Sequence, residues 1–264
     1  MNFIVSALYF EAKNIISSFK LKKIRNFKKY QIFRNDHTVL ILSGVGVWNA
    51  IFATAYLLSN YNESKDDRLY NIGSCGSVNR EIDLKKIFIP SKIIYNGKNF
   101  YPDILEKHPF EEGVLNTLDL NEKNIDTSAH IVDNEAAGVF FSAEKFLYLN
   151  NITFIKIVTD DFFKKLPEKR VILETYEEGV KDVIEYLSER MKEKKEENMM
   201  EINHVTDDLR DNLKLSETMF EKLKKLIRYS ELTGIKIDNY LKIRAKDKRE
   251  GKKIIKEIEN RLIE

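Results

Sequence analysis

Glu11, Ser43, Ser74, Thr159 and Asp160 stand where short apolar runs give out, and Glu135 stands where a helical pattern begins. In folds that alternate strands and helices, ligands gather beyond the carboxyl ends of the strands. Carboxylates in such places can take up or deliver protons, and a hydroxyl beside backbone N–H groups can orient a reactant. Each residue also has a plain structural reading. Glu11 suits the first turn of a helix, where the dipole favours an anion. Gly73-Ser74-Cys75-Gly76 reads as a tight turn, and Cys75 as a small packed residue with no histidine near it in sequence. Gly44-Val45-Gly46 before a helix offers an anion cradle or simply close strand–helix packing. Glu135 fits a helix N-terminus, and Asp160 and Asp161 both fit a helix cap.

The elements that must hold these residues follow from periodicity. Strands are predicted over 2–8, 38–43, 69–72, 86–89, 92–95 and 153–158, and helices over 12–19, 47–59, 135–149 and 171–195. Strands apolar on both faces, alternating with helices, predict an α/β three-layer sandwich with a mixed, mostly parallel central sheet. Near Met191 the composition turns to charge, with Gly and Pro nearly gone. The predicted division is an α/β domain over 1–195 and a small C-terminal helical appendage over 205–264. In the appendage Ser216 caps a helix, Gly234 breaks the pattern, and Phe220, Leu223, Ile227, Ile254, Ile258 and Leu262 recur at helical spacing. The charges between them are of both signs, which suits a protein-docking surface better than a phosphate-binding stripe.

Composition narrows the classes. With 43% hydrophobic residues the chain can bury a large core. A net charge of +2 is too balanced to imply a nucleic-acid groove or an anionic membrane surface. One cysteine excludes an intrachain disulfide. The N-terminal apolar run has no basic residue before it and runs into Glu11, so it reads as a strand rather than a signal peptide. No run reaches the roughly 18 apolar residues of a membrane span. The expectation is a cytoplasmic protein with no metal, no cofactor, no membrane and no nucleic-acid partner.

Four segments in this order, SALYFEAK (6–13), LSGVGVWNA (42–50), NIGSCGSV (71–78) and VDNEAAGV (132–139) with KIVTDD (156–161), resemble the purine nucleoside phosphorylase and nucleosidase superfamily over roughly residues 1–190. The resemblance implies N-glycosidic bond cleavage in a purine nucleoside, with 5′-methylthioadenosine or S-adenosylhomocysteine as candidate substrates. It implies that Glu11 is the general base that activates water, and that Ser74 orients the water or the purine-side acid. Glu135 would accept hydrogen bonds from the ribose 2′- and 3′-hydroxyls. Val45 would line the pocket for the 5′ substituent. Asp160, preceded by Thr159, would protonate N7 of the leaving purine, and Asp161 would not. Asn134 stands where the family has a methionine packed on the sugar. The phosphorylase branch carries phosphate-gripping arginines where this chain has Glu11 and Asn71, so the resemblance favours hydrolysis. Segment 96–131 is compact and polar, shorter than the family's base-contacting stretch, and Asn96 replaces a histidine. The resembling nucleosidases complete the 5′ pocket across a homodimer interface, so a homodimer is expected, with a protein partner as a further candidate for the C-terminal helices. The alternatives are a phosphorolytic enzyme of the same fold and a non-catalytic nucleoside-binding or scaffold protein.

Overall fold

The computed structural model describes residues 1–24, 29–62, 64, 67–79, 81–105, 107–233, 235, 237–241 and 243–263. They form two compact units, Met1–Leu187 and Ser188–Glu264. Gly234, expected to break the helical tail, lies outside the described residues.

The first unit is built on one mixed sheet. Its centre is β5 (Arg68–Ser77). On one side β5 pairs in parallel with β1 (Asn2–Ser6), and β1 pairs in parallel with β4 (Thr38–Leu42). β3 (Gln31–Arg34) and β2 (Lys22–Lys23) then extend the sheet antiparallel. On the other side β5 pairs in parallel with β10 (Ile152–Asp161) and, near its end, antiparallel with β9 (Ile131–Asp133). β6 (Ile87–Tyr95) and β8 (Glu111–Thr117) complete a closed ring in the order β5, β10, β6, β8, β9. β7 (Lys98–Phe100) hangs on β6. The sheet is therefore mixed, its longest pairings parallel as expected, but it is not a plain open layer. Among the described residues five pairings are parallel and five antiparallel.

Side chains alternate across a strand, and the core follows that alternation. Phe3, Val5, Val39 and Ile41 are buried with Ala50, Ala53 and Leu57 of α2 (Val47–Tyr61) and with Val139 and Phe140 of α3 (Ala136–Ala143). Their neighbours Ile4, Leu40, Tyr70 and Ile72 are equally buried on the other face. There lie α1 (Tyr9–Ser18) and the start of α4 (Lys169–Asn212). Tyr176 of α4 is fully buried, meets Phe10 edge-on at 5.5 Å, and donates its hydroxyl to the Glu11 backbone carbonyl at 3.2 Å. α2 and α3 cross so closely that a Cβ on Gly138 would stand 2.3 Å from the Val47 carbonyl oxygen.

Several expected elements change length. Gly73 to Gly76 is not a turn, because β5 runs through it to Ser77. The two strands predicted around Pro90 are one strand with a register irregularity between Pro90 and Lys92. Segment 96–131, expected to be compact and polar, contains strand β8. Asn96 and Gly97, both at positive φ (49° and 70°), make the hairpin turn from β6 to β7.

The second unit has its own core. Phe220, Leu223 and Ile227 of α5 (Glu217–Thr233) and Ile254, Ile258 and Leu262 of α7 (Lys248–Ile263) are buried with Leu209 and Leu213. A short helix, α6 (Asp238–Leu241), lies between α5 and α7 in sequence. α4 passes unbroken through the 190–205 stretch where the composition shifts.

Candidate active site

Glu11 lies in the first turn of α1, where a glutamate can reach back to the free N–H groups that open a helix. Its Oε2 accepts from the N–H groups of Ala7 (3.1 Å) and Leu8 (2.9 Å). Its Oε1 faces β5 and accepts from both the N–H and the hydroxyl of Ser74, each at 2.8 Å. One oxygen thus caps the opening of α1 and the other is held against β5. The residue is 3% exposed. A Cβ on Gly73 would lie 3.1 Å from Oε1, so the carboxylate fills space that a larger residue would need.

Glu135 is the N-cap residue of α3. Its Oε1 accepts from the Gly46 N–H at 2.9 Å. Gly44 and Gly46 are both at positive φ (82° and 103°), which lets the turn present that N–H before α2 begins. Val45 is half-buried in this turn, and its carbonyl accepts from Asn49. Burial pushes the Glu135 carboxyl up to about 7, assisted by Asp133 and opposed by Lys156 and the Gly46 N–H.

Asp160 sits near the end of β10. A register irregularity between Val158 and Asp160 sets Asp160 beside Gly76, and such bulges re-aim side chains near sites. Its Oδ2 is 3.2 Å from where a Cβ on Gly76 would be. Its Oδ1 accepts from the Thr159 hydroxyl at 2.9 Å. Burial raises its pKa, which the Thr159 bond opposes and Asp161 assists. Asp161 instead accepts from the Phe163 N–H and pairs with Lys164.

Sequence reasoning missed a second layer. Lys156, in the middle of β10, is 1% exposed and pairs with Asp133 at 2.7 Å. Asp133 also accepts from the Thr117 hydroxyl (2.7 Å) and the Ala136 N–H (2.9 Å), and the Ala137 N–H donates to Thr117 Oγ1 at 3.1 Å. The available signal was a lysine inside the apolar run TFIKIV, since a strand lysine with no water needs a partner.

Asn134 donates its amide to the Leu118 carbonyl at 2.7 Å, tying the loop after β8 to the start of α3. Thr159 is buried and turned to Asp160. Cys75 is buried, and that burial holds its thiol well above the usual range, as expected of a packed residue. The charges of Glu11, Asp133, Asp160 and Lys156 all act on Cys75, and those of Glu11, Asp133 and Lys156 act on Glu135. The groups therefore share one neighbourhood, at the exits of β1, β5, β9 and β10. Among the described residues no cluster of His, Cys, Asp and Glu could hold a metal, and no helix is long and apolar enough to cross a membrane.

The chain thus gathers carboxylates at the strand ends of a mixed α/β sheet, and its sequence matches the phosphorylase superfamily. That family's model matches residues 3–175, and the chain belongs to it. Over 84 residues it is 37% identical to the 5′-methylthioadenosine/S-adenosylhomocysteine nucleosidase of Buchnera aphidicola subsp. Schizaphis graminum, a match covering 31% of this chain and 34% of that one. The nucleosidase of Buchnera aphidicola subsp. Baizongia pistaciae is 35% identical over 100 residues, covering 36% and 38%. The match thus spans just over a third, at most, of these relatives' length. Among solved structures, the Neisseria meningitidis 5′-methylthioadenosine/S-adenosylhomocysteine nucleosidase with methylthio-immucillin-A superposes with a TM-score of 0.60 at 16% identity, over 70% of this chain and 97% of that one. The futalosine hydrolase of Helicobacter pylori gives 0.58 at 14%, over 73% and 97%. These likenesses establish the fold.

Proposed function

We propose that this chain hydrolyses the N-glycosidic bond of a purine nucleoside. The compounds that give its nucleosidase relatives their name, 5′-methylthioadenosine and S-adenosylhomocysteine, are the first substrates to try. The observation that carries the reading is charge. Glu11, Asp133, Glu135 and Asp160 share a neighbourhood in which the cation acting on Glu135 is Lys156, already paired with Asp133. A unit negative charge about 4 Å from one carboxylate is opposed by about 4 kcal/mol at an effective dielectric constant of about 20. With Asp133 neutralised by Lys156 and Asp160 carrying the proton it delivers, phosphate would meet that opposition from Glu11 and from the ionised form of Glu135, and neutral water would not. The same carboxylates favour the positive charge that grows on the sugar as the base departs.

In this mechanism Glu11 takes a proton from the attacking water, with Ser74 fixing the Oε1 orbital direction. Asp160, its pKa raised by burial, delivers a proton to purine N7. Glu135 accepts from the ribose 2′- and 3′-hydroxyls, and Val45 and Asn134 border the sugar. Residues 1–195 carry the whole site in a layered α/β domain, and 205–264 form a helical appendage open to a protein partner. The chain works in the cytoplasm as a homodimer. The exposed Trp48–Phe52 stack on α2 (66% and 59% exposed) offers a self-association face, and sedimentation of a Trp48→Ser variant tests it.

Glu11→Gln tests the chemistry. Turnover should fall by about 10²-fold or more while a non-hydrolysable nucleoside analogue still binds. A variant at near wild-type rate removes Glu11 from the mechanism.

A further inference from the structure

The Lys156–Asp133 pair joins β10 to β9, strands that are not neighbours in the ring, so the lysine reaches across its inside. Both side chains are sealed from water, at 1% and 0% exposure. Such a pair contributes little net stability, since desolvation offsets most of its attraction. Its bonds point elsewhere. Asp133 holds the Ala136 N–H, and Thr117, itself bonded to Asp133, holds the Ala137 N–H. The free N–H groups that open α3 are thus fixed on either side of the pair, directly next to Glu135. Glu135 is held at two points, by the anchored N–H groups that follow it and by the Gly46 N–H on its Oε1.

We propose that Lys156, acting through Asp133, is the positioning residue for Glu135: it anchors the start of α3 and supplies the cation against which Glu135 presents its carboxylate to the sugar. The inference rests on the reading of Glu135 as the sugar-hydroxyl acceptor. The charged and titratable groups acting on Glu135 come from three elements, Glu11 on α1, Asp133 on β9 and Lys156 on β10. Asp133 is the strongest of them and raises the Glu135 pKa, while Lys156 lowers it. Removing the lysine while Asp133 stays ionised raises the pH at which Glu135 becomes an acceptor. Removing both partners lowers it.

Lys156→Met should raise KM for a riboside by up to about a hundredfold, the scale of a misplaced contact, with a smaller change in kcat. The acid limb of kcat/KM should move to higher pH, each unit moved being about tenfold at a fixed acidic pH. A 2′,3′-dideoxynucleoside, which lacks the hydroxyls, should show almost none of the KM loss. Lys156→Arg should recover most of the riboside loss. The double variant Asp133→Asn, Lys156→Met buries no charge, so it folds where the single one fails. Its acid limb should lie below that of the wild type. Equal losses on riboside and dideoxy substrate, or an unmoved limb in both variants, would overturn the proposal. Carboxyl ¹³C NMR of Glu135, assigned with Glu135→Gln, reads the same shifts without turnover. If the wild type cleaves no nucleoside, the functional reading falls by itself. The Glu135 titration then decides the positioning role: opposite shifts in the single and double variants uphold it, and unmoved titrations refute it.

Discussion

Asp160 and Asp161 are adjacent and chemically identical, yet their surroundings differ. Asp160 is shielded between β10 and Gly76, with a raised pKa. Asp161 turns to the Phe163 N–H and Lys164. A shielded acid retains its proton to higher pH and can give it up in the transition state. Asp160→Asn should therefore lose about 10²–10⁴-fold with ordinary purine nucleosides and much less with a substrate whose leaving group needs no proton. Asp161→Asn should be mild. Equal losses on both substrates would make Asp160 a structural residue. The positions of single residues were legible from the pattern around them: Glu11 and Asp160 stand where apolar runs end, and Glu135 where a helix begins. Lys156 was not legible, because what makes it significant is Asp133, 23 positions away in sequence and on a non-adjacent strand.

At the scale of elements, β5 decides the site. Gly-Ser-Cys-Gly reads as a turn because glycine is depleted in strands, but here the missing side chains make room. The space beside Gly73 is taken by Glu11, and that beside Gly76 by Asp160 and Val132. A strand glycine commonly marks such a close approach. Gly73→Ala should leave a folded protein, since the clashing atom ends a side chain, and should lower turnover by about a hundredfold through displacement of the Glu11 carboxylate. Circular dichroism alongside the rate checks this; a folded variant at full rate would mean that the Glu11 position tolerates displacement. β1, β4, β10, α1 and α2 were visible in periodicity, with ends off by a few residues. β9 and β8, which carry Asp133 and Thr117, were not predicted because their apolar runs are short. Closure of the ring was not visible either, because the pairing of β10 with β6 joins Lys156 to Phe88 and Ile157 to Ile87, 68 and 70 positions apart, and leaves no local pattern. The Asn96-Gly97 hairpin was open to reading, since Asn-Gly between apolar runs is a strong hairpin signal.

At the scale of the molecule, every group assigned to the chemistry lies within Met1–Leu187, and Ser188–Glu264 closes a core of its own. The chain cut after Lys195 should stay folded and keep whatever base release the full chain shows, which the proposal expects to be nucleosidase turnover. Loss of activity with the fold intact would mean that the tail supplies part of the site. The helical tail was legible as apolar spacing amid charge, whereas the length of α4 was not, because charged helical sequence carries no stop signal before Asn212. The central claim, hydrolysis in an anionic site, is tested most directly by measuring base release from 5′-methylthioadenosine, S-adenosylhomocysteine and adenosine with and without phosphate. The account predicts release of adenine without phosphate, at a rate that phosphate does not raise, with free sugar as the co-product. Strict dependence on phosphate with a sugar 1-phosphate product, or saturable binding with no release from any purine nucleoside, would contradict it.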